Sequence, residues 1–179
     1  MKMNNVVLVF IGLALVTGCS SIGLMGVVNR PDIIINVNNA GDARIVTPGS
    51  PNCKRTNPIP PGCLNFQQDE FGEVKFMLNG PPAWVFASMQ ICKLKGNIQD
   101  CNLDLWDRIQ FPIKNKDGDK FLIPDEQGKV DLTVFGNDDE FYLVNQNTVA
   151  QDYYYSVNVC NGGGVCTTVD PPVENGGRR

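Results

Sequence analysis

Along much of this chain apolar and polar residues alternate with a period of two, the spacing that turns one face of a β-strand into a core and leaves the other wet. The plainest case is 73–78, where Val74, Phe76 and Leu78 alternate with Glu73, Lys75 and Met77. The pattern returns at 130–134 through Val130, Leu132 and Val134, and at 153–159 through Tyr153, Tyr155, Val157 and Val159. Shorter apolar stretches predict further strands at 33–37, 121–123, 141–144 and 165–169. The run 84–94 is almost continuously apolar, which fits a buried strand or a short helix, and the strand is the favoured reading. Segment 103–113 sets Leu103, Leu105, Ile109, Phe111 and Ile113 on one side and Trp106 on the other, which also reads as a strand. No helix is predicted.

Turn chemistry separates these elements. Asp117-Gly118 predicts a tight hairpin in which both residues take positive φ, 136–139 is a polar turn, and Asn161-Gly162-Gly163-Gly164 closes a last hairpin. That hairpin puts Cys160 and Cys166 on the face away from the 153–159 core stripe, where a cross-strand disulfide would staple it. About seven to nine short strands at this spacing predict an all-β fold, an antiparallel two-sheet sandwich similar in architecture to immunoglobulin-like domains. The Cys and Trp core pattern of antibody domains is absent, so the likeness is one of architecture.

Composition narrows the chemistry. With 179 residues, 42% hydrophobic and 19% charged, the chain is expected to form one domain. Its 15 Lys and Arg against 19 Asp and Glu give a net charge of −4, which withholds the cationic surface that nucleic acids require. The absence of His removes Ser-His-Asp and Cys-His nucleophiles, His-ligated zinc and the His pH switch.

The amino terminus supplies an address. After Lys2, residues 6–16 (VVLVFIGLALV) form an uncharged apolar run of eleven, the core of a signal peptide and too short by itself to cross a bilayer. Val16-Thr17-Gly18-Cys19 then resembles the lipobox of bacterial lipoproteins. The resemblance implies cleavage before Cys19, a diacylglycerol on its thiol and an acylated amino group. Each buried methylene of such chains adds roughly 0.8 kcal/mol to anchoring. Ser20, where an inner-membrane lipoprotein carries Asp, implies an outer-membrane lipoprotein of the cell envelope. Two other readings stay open, because 22–28 (IGLMGVV) is apolar again and no charge falls between Lys2 and Arg30: an uncleaved transmembrane helix, or ordinary secretion with a different cut. The expected organisation is a signal peptide at 1–18, a tether at 19–31, a sandwich at 32–173 and a flexible tail at 174–179.

Setting Cys19 aside leaves an even six, Cys53, Cys63, Cys92, Cys101, Cys160 and Cys166. In an oxidising compartment these read as three disulfides, and the simplest of the fifteen connectivities pairs neighbours at separations of 10, 9 and 6. Cys-x-x-Cys knuckles are missing, so no metal and no cofactor is expected. The closing segment, Asp152-Tyr153-Tyr154-Tyr155-Ser156-Val157-Asn158-Val159 followed by Asp170-Pro171 and Asn175, resembles the last strands of small uncharacterised bacterial secreted β proteins. It covers the last quarter of the chain and implies no activity.

Few residues invite binding chemistry. Asn115, Asp117 and Asp119 with Glu126 imitate EF-hand spacing, but Lys120 stands where glycine is needed and Pro124 where a helix should begin, so a structural turn is expected. The acidic turn 137–140 is a second loop that could hold calcium or only face solvent. Loop 47–63 carries five prolines with Lys54 and Arg55, and serves either recognition or stiffening against proteases. Trp106 and Tyr154 are the outward aromatics that could stack on a sugar. Nothing pairs two carboxylates for glycosidase-type chemistry. The expectation is a non-catalytic, lipid-anchored envelope protein, membrane-bound through its lipid, that offers loops or a long bare sheet edge to another envelope protein. A carbohydrate-binding module is the first alternative and a carboxylate-based hydrolase the second.

Overall fold

The computed structural model describes residues 27–29, 32–53, 58–67, 70–95, 98–148 and 150–175. Cys19, Lys54, Arg55 and the expected signal peptide lie outside the described residues. In chain order the strands are β1 (Val27–Asn29), β2 (Ile33–Val37), β3 (Ala43–Ile45), β4 (Leu64–Phe66), β5 (Phe71–Asn79), β6 (Trp84–Lys95) and β7 (Ile98–Asp100). They continue as β8 (Ile113–Asn115), β9 (Phe121–Leu122), β10 (Lys129–Asp131), β11 (Glu140–Asn145), β12 (Tyr153–Asn161), β13 (Cys166–Val169) and β14 (Pro172–Asn175). A short helix, α1 (Leu105–Ile109), follows β7, and a 3-10 turn, Leu132–Phe135, follows β10.

These strands form an all-β sandwich of two seven-stranded sheets. The first runs β3-β2-β5-β11-β8-β9 with β1 also on β5; the second runs β10-β6-β12-β14-β4 with β13 on β12 and β7 on β6. Most pairs are antiparallel. Three are parallel, β1 with β5, β2 with β5 and β14 with β4, so the purely antiparallel expectation is corrected in those places. Each joins segments distant along the chain, which no local turn signal announces. Strands β1 and β14 also carry the sheets past both ends of 32–173, into the segments expected as tether and tail.

Alternation builds the core as expected. Ile33, Ile35 and Val37 from β2 and Val74 and Phe76 from β5 meet Tyr153, Tyr155, Val157 and Val159 from β12. An aromatic seam joins the sheets: Phe76 stacks on Phe141 at 4.7 Å and meets the edge of Tyr155 at 5.3 Å, while Phe86 meets Phe141 at 4.8 Å. The continuous apolar run of β6 has a structural cause. Asn158 lies opposite Ser88 but Val159 opposite Phe86, so Ala87 is an extra residue that shifts the inward phase from Trp84 and Phe86 to Met89 and Ile91.

Three local expectations fail. Segment 103–113 is no strand: Asp104 caps α1, accepting from the Asp107 N–H at 3.0 Å while Asp107 reaches back to the Asp104 N–H. The 130–134 alternation breaks after Leu132, because the 3-10 turn buries Phe135 and exposes Val134. At the Asp117-Gly118 hairpin only Gly118 takes positive φ; the Gly118 N–H bonds the Asn115 carbonyl, making a turn over 115–118 rather than a two-residue hairpin loop. The outermost strands β3, β9, β10 and β4 are two or three residues long, so the long bare edge that strand addition would use is not among them.

Candidate functional site

Strand direction gives the sandwich two distinct ends. Val27 lies opposite Phe71, Asn145 opposite Gly72 and Tyr153 opposite Lys93, so β1, β5 and β12 begin at one end, where β6 and β11 finish. This is the entry end. At the far end β2, β5 and β12 finish and β3, β6 and β11 begin.

The far end holds an open groove of about 850 Å³. Its lining is rich in side-chain amides, Asn36, Asn38, Asn39 and Asn79, with Asp42 and Arg44 as its charges and Pro81 and Pro82 at its rim. Parallel pairing sets Asn36 directly opposite Asn79, and Asn79 Nδ2 donates to Asn36 Oδ1 at 3.0 Å. Asn38 shapes the next wall. Its Oδ1 accepts from the N–H groups of Ala40 and Asp42 at 2.9 and 3.0 Å, and its Nδ2 donates to Asp42 Oδ2 at 3.0 Å. Gly41 closes that loop at φ 91°, and a Cβ there would press on the Trp84 ring at 3.4 Å.

A second hollow of about 500 Å³ shares Gly80, Pro81 and Pro82 with the groove and extends past Trp84 to Asn137, Asp139 and Asn161. Trp84 is buried in its floor and offers little ring face to a ligand. The acidic turns stand at this end too, joined by Lys116 and Asp139 at 3.6 Å. Asn115 Nδ2 donates to Asp119 Oδ1 at 2.7 Å and Asn115 Oδ1 accepts from the Lys120 N–H, so the residues that imitate EF-hand spacing tie their own hairpin. Neutral amides that both donate and accept suit a ligand carrying hydroxyls or peptide groups.

The entry end is built around a buried polar network. Lys93 Nζ donates to Asp107 Oδ2 at 2.5 Å, Tyr153 Oη donates to Asp107 Oδ1 at 3.0 Å, and Gln110 Nε2 donates to Tyr153 Oη at 2.8 Å. Gln110 then accepts from the Thr148 N–H at 3.1 Å, tying α1 to the segment after β11. The hydrogen bond to Asp107 holds the Lys93 ammonium above its ordinary pKa despite partial burial. Burial, then the Asp107 charge, pushes the Tyr153 hydroxyl far above the ordinary phenol value. Outside the network, a hydrogen bond from Lys95 lowers Asp100, and the Asp107 N–H lowers Asp104.

The structure places the other predicted residues as follows. Cys53–Cys63, Cys92–Cys101 and Cys160–Cys166 are all bonded, and Cys160 and Cys166 are directly opposed across β12 and β13. Trp106 is exposed, on the first turn of α1 rather than on a strand. Tyr154 is half-buried and lines a hollow of about 180 Å³ with Gln90, Cys92, Gln99 and Thr168, a lining that does not include Trp106. The two aromatics therefore do not share one binding hollow. Among the described residues no three Cys, Asp or Glu cluster as metal ligands would, and no helix is long and apolar enough to cross a membrane. Comparison with known families and with curated proteins returned no match.

Sequence reasoning missed the groove. Asn36 and Asn79 stand 43 residues apart in unremarkable polar contexts, and only the parallel pairing of β2 with β5 brings them together. A weak signal did exist in the crowding of Asn, Gly and Pro at 36–42 and 79–82, which marks loops but not which loops meet.

Proposed function

We propose that this is a lipid-anchored protein of a bacterial cell envelope that works by recognition rather than catalysis, binding another envelope protein in its far-end groove. Three disulfides mark an exported, secreted-type chain, and the lipobox-like tetrapeptide ending at Cys19 supplies the anchor. The observation that carries the reading is the amide-rich lining itself. Asn36, Asn39 and Asn79 present donors and acceptors of the kind that pair with a partner's peptide groups, and Arg44 adds one exposed cation. Asp42 is the groove's single carboxylate and is bonded to Asn38, which leaves two-carboxylate hydrolysis without its second member there. A sugar reading draws on the same amides, but sugar stacking needs an exposed ring face and Trp84 is buried.

A photoreactive residue at Asn39 tests the proposal in intact envelopes. A discrete crosslinked protein that disappears with Arg44→Ala plus Asn79→Ala, at unchanged melting temperature, is the expected outcome. A crosslink indifferent to both substitutions, or glycan-array binding that they abolish, would replace the protein partner with another account. Intact mass before and after reduction reports acylation of Cys19 and the three bridges together.

A further inference from the structure

We infer that the entry end is a bilayer-contact face, with Trp106 seated at the boundary between lipid headgroups and acyl chains. The inference rests on the proposed lipid at Cys19. Strand β1 runs parallel to β5 with Val27 opposite Phe71, so the chain coming from Cys19 joins the sandwich at this end. Only seven residues, 20–26, separate Cys19 from Val27. Fully extended, the eight steps from Cys19 to Val27 span at most about 29 Å, which keeps this end within reach of the membrane.

The surface there suits the placement. Trp106 is 72% exposed and Leu105 59%, side by side on the first turn of α1. Ile98, 72% exposed, opens β7 beside the last residue of β6, and Ile123, 47% exposed, is drawn to α1 where Arg108 Nε donates to the Pro124 carbonyl at 2.7 Å. Tryptophan favours the membrane interface because its ring is apolar and its indole N–H still needs a partner. Two cations at this end are paired, Lys93 with Asp107 and Lys95 with Asp100 at 2.5 and 2.6 Å, so neither meets lipid as a lone charge. The far end, where the Asn-lined groove opens, carries the smaller exposed groups Val134 and Val165, 50% and 55% exposed, and its tryptophan, Trp84, is buried.

The chain holds two tryptophans, Trp106 at the entry end and buried Trp84 at the far end, and they provide the test. Full-length protein extracted from membranes is reconstituted into phosphatidylethanolamine and phosphatidylglycerol vesicles brominated near the headgroup end of the acyl chains. The expected result is strong quenching in the wild type that is lost in Trp106→Phe, whose remaining Trp84 emission stays unquenched. If the acylated protein floats with the vesicles but Trp106 is quenched no more than Trp84, the contact face is overturned while the anchor stands. Failure to float together with an unmodified Cys19 mass overturns the anchor reading and the inference with it. A dimer in micelles that shields Trp106 from acrylamide also overturns it, in favour of a second copy.

Discussion

At the entry end Asp107, Tyr153, Gln110 and Lys93 bond to one another in a buried network, whereas at the far end Asn36, Asn38, Asn39 and Asn79 line an open groove. The same long strands, β5, β6 and β12, run through both. The difference lies in where the polar groups find partners. In a buried network every polar group needs its partner within the protein, because an orphaned one costs free energy. A solvent-facing loop can leave donors and acceptors to water, and therefore to a ligand that displaces it. One end is thus rigidified by its polar residues and the other is left able to bind with them.

The strongest way to break the comparison is Asp107→Ala. It leaves Lys93 and the Tyr153 hydroxyl without their acceptor, and urea unfolding should show a loss of about 3 kcal/mol, the low end of the range for splitting a buried pair because Lys93 keeps some solvent access. Amide exchange should rise first in α1 and at the start of β12, leaving β2 protected until global unfolding. An equal rise at both ends would erase the distinction. Replacing Cys160 and Cys166 by Ser removes a far-end staple, and the same urea measurement should show a smaller loss, roughly 2 kcal/mol, for so short a loop. Acid should act last and least. Asp100 and Asp104 have folded pKa values below their unfolded ones, so the stability they add is complete above the ordinary aspartate value of about 4 and is lost as pH falls through the folded values. Melting followed between pH 5 and pH 2 should show this decline, and Asp104→Asn should flatten it.

Legibility in the sequence followed the range of the interactions. Alternation in 73–78 and 153–159 predicted which side chains face the core, because strand geometry alone decides it, and the nearest-neighbour cysteine pairing was equally local. The helix α1 escaped notice. It has only five residues, its apolar spacing also fits a strand, and its capping box uses Asp107 where Glu or Gln is the familiar partner. Ala87 shows a different limit, since an inserted residue leaves composition untouched and reveals itself only in the register with β12. The groove lay furthest from sight, because it depends on the parallel pairing of β2 with β5 that sets Asn36 beside Asn79, which no short segment encodes.

The closeness of each cysteine to its mate bears on how the protein matures. Every bridge joins consecutive cysteines no more than ten positions apart, so a translocating chain delivers both thiols of a couple before the next couple arrives. With the Cys19 thiol taken by the proposed lipid, an oxidase that joins the other thiols in order of arrival would produce the native set directly, without a shuffling enzyme to undo wrong links.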